Sequence, residues 1–132
     1  MGACKSKHTN DEVNYQYTGG EATYPNSVAP KEATIAEIDP SVKIIGTRAF
    51  SRCNQLKFIA IPKGVEVVGE SAFSGCKKLR KVEFPSTMQE IQKYAFQYCE
   101  ELDSVVLPDG VKVVEERVFY NCSTLKEVVL PA

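Results

Sequence analysis

The chain has 132 residues, 43% of them hydrophobic and 25% charged, with a formal net charge of −1. That composition fits one globular domain and excludes a disordered chain, and no apolar run approaches the ~18 residues of a membrane span. Charge is evenly spread, three lysines against four acidic residues in residues 1–32 and thirteen of each sign in residues 33–132, so no basic field exists to hold nucleic acid.

The first seven residues, Met1-Gly2-Ala3-Cys4-Lys5-Ser6-Lys7, match the N-myristoylation pattern M-G-x-x-x-[ST], which uses Gly2 once Met1 is removed. They resemble the start of dually acylated signalling proteins. A single myristoyl chain binds membranes only marginally, with K of order ~10⁴ M⁻¹, so a second signal is needed. Cys4 is well placed for palmitoylation, and Lys5 and Lys7 each add about 1 kcal/mol on an anionic leaflet. Gly2-Ala3-Cys4 lacks the preceding apolar segment of a bacterial lipoprotein signal, and no secretory h-region is present. The expected location is therefore the cytoplasmic face of a membrane, with lipids contacted through the acylated tail. Residues 8–32 hold Gly19-Gly20, Pro25 and Pro30 without sustained periodicity. They read as a tether, which makes residues 1–32 a flexible tail.

Residues 33–41 read as the end of an earlier repeat, a capping strand over the first full unit. From Val42 the chain aligns with itself without a gap in four units, residues 42–64, 65–87, 88–110 and 111–132, the first three of 23 residues. Each unit repeats the same apolar columns, among them Phe50/Phe73/Phe96/Phe119, Leu56/Leu79/Leu102/Leu125 and Ile59/Val82/Val105/Val128. A unit of 23 residues cannot bury these groups alone, whereas stacked units turn each column into a continuous spine. The stretch L-x-x-V-x-L-P alternates like a short strand closed by proline, and such strands pair in parallel at ~4.8 Å. The stretch A-F-x-x-C-x-x-L spaces its apolar residues by three and four, which predicts a short helical turn. The fold class is a repeat solenoid of the leucine-rich, horseshoe type, with short parallel strands and short helical turns.

The motif Ile45-Gly46…Ala49-Phe50…Cys53…Leu56…Ile61-Pro62, recurring in register, resembles the BspA-like class of leucine-rich repeats. Gln92 and Glu115 depart from it where the earlier units have Gly46 and Gly69, which is expected to loosen a turn. The resemblance implies a curved solenoid used for protein–protein contact, in a family rich in surface adhesins, and it implies no catalytic residues and no cofactor.

Cys53, Cys76, Cys99 and Cys122 recur one per unit. Zinc needs close pairs such as C-x₂-C, and a thiol nucleophile needs a base, whereas the sole histidine is His8. Parallel side-chain directions disfavour disulfides, so the column reads as a structural ladder of free thiols. The charged column Thr47/Glu70/Lys93/Glu116 alternates in sign and is expected to register the stack, at ~0.2–1 kcal/mol per pair. Outward positions on the strand face include Phe58, Val106 and Val129. On the turn-bearing face Tyr94, Tyr98 and Tyr120 replace smaller or polar residues of the other units. All six are candidate partner-binding residues, the plain alternative for the tyrosines being that they shield neighbouring apolar groups.

The function expected from these features is a non-enzymatic protein-binding scaffold on the cytoplasmic side of a membrane, its protein partner unidentified. The alternative is a BspA-like adhesin at the cell surface. The last unit closes at Val128-Val129-Leu130-Pro131-Ala132 without a polar cap, which suggests self-association through that end.

Overall fold

In the computed structural model, residues 12–131 are described and form a parallel-strand solenoid of about five turns. The first strands are β1 (Asn14–Tyr17), β2 (Ile35–Ile38) and β3 (Ile44–Ile45). The repeats then supply β4 (Phe58–Ala60), β5 (Val67–Val68), β6 (Lys81–Glu83), β7 (Glu90–Ile91), β8 (Ser104–Val106), β9 (Val113–Val114) and β10 (Glu127–Val129). Each unit thus gives one strand to each of two faces. On one, β3, β5, β7 and β9 form a continuous four-stranded parallel sheet, with Ile44 opposite Val67 and Ile45 opposite Val68. On the other, β4 pairs with β6 and β8 with β10. In β4, β6 and β8 the middle residues Ile59, Val82 and Val105 turn into the core and their neighbours face water, the period-2 pattern of a half-buried strand.

The core is the set of stacked columns. Phe50, Phe73 and Phe96 lie fully buried, their rings parallel within 2° at centroid distances of 5.0 and 5.2 Å. Leu56, Leu79 and Leu102 are buried beside them, and Phe119 continues the stack at 5.9 Å. Such aromatic pairs contribute about 0.5–1.5 kcal/mol beyond their area burial.

The corners between strands are not helical. Their amides alternate between two destinations. Ala49, Ser51 and Cys53 donate back three residues to Gly46, Arg48 and Phe50, while Arg48, Phe50 and Arg52 donate forward to Glu70, Ala72 and Ser74 of the next unit. Arg48 and Arg52 also adopt the left-handed conformation, at φ 58° and 61°, as do their counterparts Ser71, Gly75, Tyr94, Tyr98, Arg117 and Asn121. A left-handed residue at every fourth position cannot continue a right-handed helix. The apolar spacing of three and four comes instead from a tight corner that buries Ala49, Phe50 and Cys53 together.

The flexible tail expected over residues 1–32 does not hold from Glu12 onward. β1 pairs in parallel with β2, with Asn14 opposite Ile35 and Tyr17 opposite Ile38. Residues 33–41 carry a strand, but β1 covers it, so it is an interior rung and not a cap. Tyr17 is fully buried, and its hydroxyl donates to the Gly20 carbonyl at 2.6 Å and accepts the Gly46 amide at 2.9 Å. The amides of Ala22, Val28 and Ala29 donate to carbonyls of the first repeat. Gly46 is required here, because a Cβ would collide with the Gly20 carbonyl oxygen.

Gln92 and Glu115 do not loosen their turns. The Gln92 side-chain oxygen accepts the Glu70 amide at 3.2 Å, and a Glu115 oxygen accepts the Lys93 amide at 3.0 Å. The alternating column of Glu70, Lys93 and Glu116 forms no ion pair. Among the described residues the two pairs are Lys81–Glu83 at 3.6 Å and Lys126–Asp103 at 3.5 Å, both exposed.

Candidate functional site

On the face of β4, β6, β8 and β10 the outward side chains occupy one register from unit to unit. Phe58 stands opposite Lys81 and Ala60 opposite Glu83, and Ser104 opposite Glu127 and Val106 opposite Val129. Phe58, Val106 and Val129 are all exposed, Val106 at 61%. Between β6 and β8 the surface opens into a depression of about 1070 Å³ whose wall includes Glu83, Phe84, Ser104 and Val106. No strand pairing joins β6 to β8 among the described residues. Phe84 lies in the wall of the depression. It occupies the column filled by Ile61 and Leu107 in neighbouring units and meets Phe96 edge-on at 5.8 Å. The site combines exposed aliphatic groups with charges of both signs, from Lys81, Glu83, Asp103 and Lys126.

The turn-bearing face is separate. Tyr98 and Tyr120 meet there edge-on at 5.9 Å, and the Arg117 guanidinium lies 5.3 Å from the Tyr120 ring centroid. Tyr94 is half-buried and joins no ring pair. The three tyrosines therefore divide into one interacting couple and one separate residue. None of them shares the strand-face depression with Val106. Tyr24, which lies in the segment expected to be a tether and was not expected in any site with arginines, is 64% exposed. Arg48 and Arg52 each place a guanidinium carbon 5.1 Å from its ring centroid.

The cysteine column carries no reactive arrangement. Cys53, Cys76 and Cys99 are buried free thiols, and Cys122 is half-buried. Burial pushes the Cys53 thiol up to about 12 and the Cys122 thiol up to about 11, and holds Cys76 and Cys99 well above their ordinary value. A thiol so disfavoured from ionising is a poor nucleophile and a poor metal ligand. Among the described residues no group of three or more His, Cys, Asp or Glu side chains is arranged to hold a metal ion. No helix among them is long and apolar enough to cross a membrane. Gly2 and Cys4, the expected acylation sites, lie outside the described residues.

Comparison with known proteins adds a family and a set of structural relatives. The profile of the BspA type leucine rich repeat region matches residues 26–132 in six copies. A leucine-rich repeat protein from Bacteroides ovatus is similar at 27% identity and a TM-score of 0.62, over 90% of this chain and 38% of its own. The pneumococcal vaccine antigen PcpA is similar at 23% identity and a TM-score of 0.68, over 96% of this chain and 33% of its own. A leucine rich cell surface protein from Faecalibacterium prausnitzii is similar at 22% identity and a TM-score of 0.62, over 93% of this chain and 36% of its own. This chain thus spans about a third of the length of each of these relatives. No match was found among curated proteins.

Proposed function

This chain belongs to the BspA type leucine-rich repeat family, and from that premise we propose that it is a non-enzymatic segment that binds a protein partner along its strand face, displayed at a cell surface. The observation that carries the reading is the strand face itself, where Val106 and Val129 stand exposed in one register, Val106 in the wall of the depression at Phe84, and Phe58 is exposed on the same face two units before Val106. Exposed aliphatic and aromatic groups rimmed by charges are the composition of a protein-binding patch. The corner-linked rungs hold that patch rigid, so little ordering entropy opposes binding. Surface display is supported by the family and by the cell-surface relative from Faecalibacterium prausnitzii.

The binding half of the proposal is tested by photo-crosslinking in cells from a reactive residue at Ser104. A discrete protein adduct that disappears in the Val106→Glu/Val129→Glu variant supports it. An adduct insensitive to both substitutions removes the strand face from the account.

A second reading for placement rests on Met1-Gly2-Ala3-Cys4-Lys5-Ser6. Where Met1 initiates the protein, myristate on Gly2 and palmitate on Cys4 would tether the repeats to the cytoplasmic leaflet. Protease treatment of intact cells separates the two readings. Cleavage of the repeats supports display, whereas full protection together with myristate labelling lost in Gly2→Ala supports the tether.

A further inference from the structure

The turn-bearing face holds a cluster that the strand-face reading does not use. Tyr24 gathers two cations against one ring, with Arg48 and Arg52 each at 5.1 Å, and Arg52 donates to the Tyr24 hydroxyl at 3.3 Å. Lys31 and Lys77 line the same depression, and Glu100 is the one carboxylate in its wall. None of these four cations takes part in either ion pair of the described residues. A chain with a net charge of −1 therefore concentrates four positive side chains against one negative in a single place.

The positions of the two arginines add a second argument. Both are left-handed, a conformation that costs a residue with a Cβ about 1–2 kcal/mol. The same two columns hold Ser71 and Gly75 in the next unit, so the corner itself does not call for arginine. The left-handed backbone is common to every unit, so what sets this place apart is the pair of side chains it carries beside Tyr24.

We propose that this cluster binds an acidic oligosaccharide, one carrying sulfate or carboxylate groups. The planar guanidinium fork matches an oxyanion, and two forks beside two lysines suit a ligand with several such groups. The depression, about 710 Å³, extends from Tyr24 past Asn54 and Gln97 to the exposed ring of Tyr98. Its charged end would take the anionic groups, its amides the sugar hydroxyls, and the Tyr98 ring the apolar face of a pyranose. A lone phosphorylated side chain would fill only the charged end, which is why the extended saccharide is favoured over a phosphopeptide.

The test is calorimetric titration of the whole chain with a fully sulfated heparin-derived tetrasaccharide at about 0.15 M salt, where distant surface charges are screened. The key variant is Arg48→Ser/Arg52→Gly, which substitutes residues that the next unit already holds in the same columns, so its folding is preserved and its thermal midpoint should not fall. Its affinity for the tetrasaccharide should drop by about tenfold or more, while a strand-face control, Lys81→Ser/Lys126→Ser, keeps the parent affinity. The proposal is overturned if the parent does not bind, if both variants bind like the parent, or if the control loses as much as the key variant. Equal binding of an uncharged tetrasaccharide, or tighter binding of a phosphotyrosine peptide, also overturns it.

Discussion

The Cys76 thiol lies 3.1 Å from the carbonyl oxygen of Phe50 and donates its S–H hydrogen bond to the preceding rung. Cys99 does the same to Phe73 at 3.3 Å and Cys122 to Phe96 at 3.1 Å. Each thiol thus sits over the carbonyl of the phenylalanine that begins the spine beneath it. The column is a structural seam that ties unit to unit, and its chemistry is that of a small apolar group with one weak donor.

This seam makes stability sensitive to alkali. Burial holds the Cys76 and Cys99 thiols well above their ordinary value of 9.0 and pushes Cys53 up to about 12. Between pH 9 and those higher values the unfolded chain gives up protons that the folded chain keeps. Stability is therefore complete below pH 9 and falls as pH rises through that window, by about 1.4 kcal/mol per pH unit for each buried thiol. Urea midpoints measured from pH 7 to 10.5 should be flat at first and then fall. The fall should be shallower in Cys76→Ala/Cys99→Ala, because fewer thiols contribute. An unchanged slope in that variant would show that other groups govern the alkaline loss.

Phe73 is stacked on both sides, 5.0 Å from Phe50 and 5.2 Å from Phe96. Phe73→Ala leaves a void that both neighbouring rungs share and should cost roughly 3–5 kcal/mol in chemical denaturation. A cost under about 1 kcal/mol would mean that the rungs close over the gap without loss of packing.

Tyr17→Phe tests whether residues 12–32 belong to the solenoid. The substitution keeps the ring and strips both hydroxyl partners, the Gly20 carbonyl and the Gly46 amide. A buried group left unsatisfied costs about 1–3 kcal/mol. Faster hydrogen exchange at Gly46, with global stability lowered by that amount, is the expected outcome. Exchange at Gly46 identical to the parent would separate this segment from the repeat stack.

Thr87 supplies a third kind of link between units. Its hydroxyl accepts the Gly64 amide at 3.0 Å and donates to the Val65 carbonyl at 2.8 Å. Thr87→Val keeps the shape and removes both bonds, so a loss of about 1–3 kcal/mol is expected by thermal or urea unfolding. Full stability in that variant would mean that water replaces the hydroxyl without cost.

The repeat was legible because six apolar columns return every 23 residues, and Ile44 pairs with Val67 at that offset. The first rung was not, because Asn14 pairs with Ile35 at an offset of 21 and Tyr17 does by a buried hydroxyl what no repeat residue does. The corners misled for a different reason. A corner burying Ala49, Phe50 and Cys53 has helix-like spacing, and only the destinations of the amides distinguish the two. Gly75 and Asn121, in one column with Arg52 and Tyr98, were the visible trace of its left-handed backbone. Strand-face positions such as Val106 could be read from alternation, but the opening at Phe84 and the Tyr24 cluster depend on contacts between distant residues.

The central claim is that one face of this solenoid takes the partner. Once the protein crosslinked from Ser104 is in hand, hydrogen-exchange mass spectrometry of the chain with and without it tests that claim most directly. Slowed exchange should be confined to the segments around β4, β6, β8 and β10, with the corners at Arg48–Cys53 and Tyr94–Cys99 unchanged. Protection of those corners, with the four strands exchanging as in the free chain, would contradict the account.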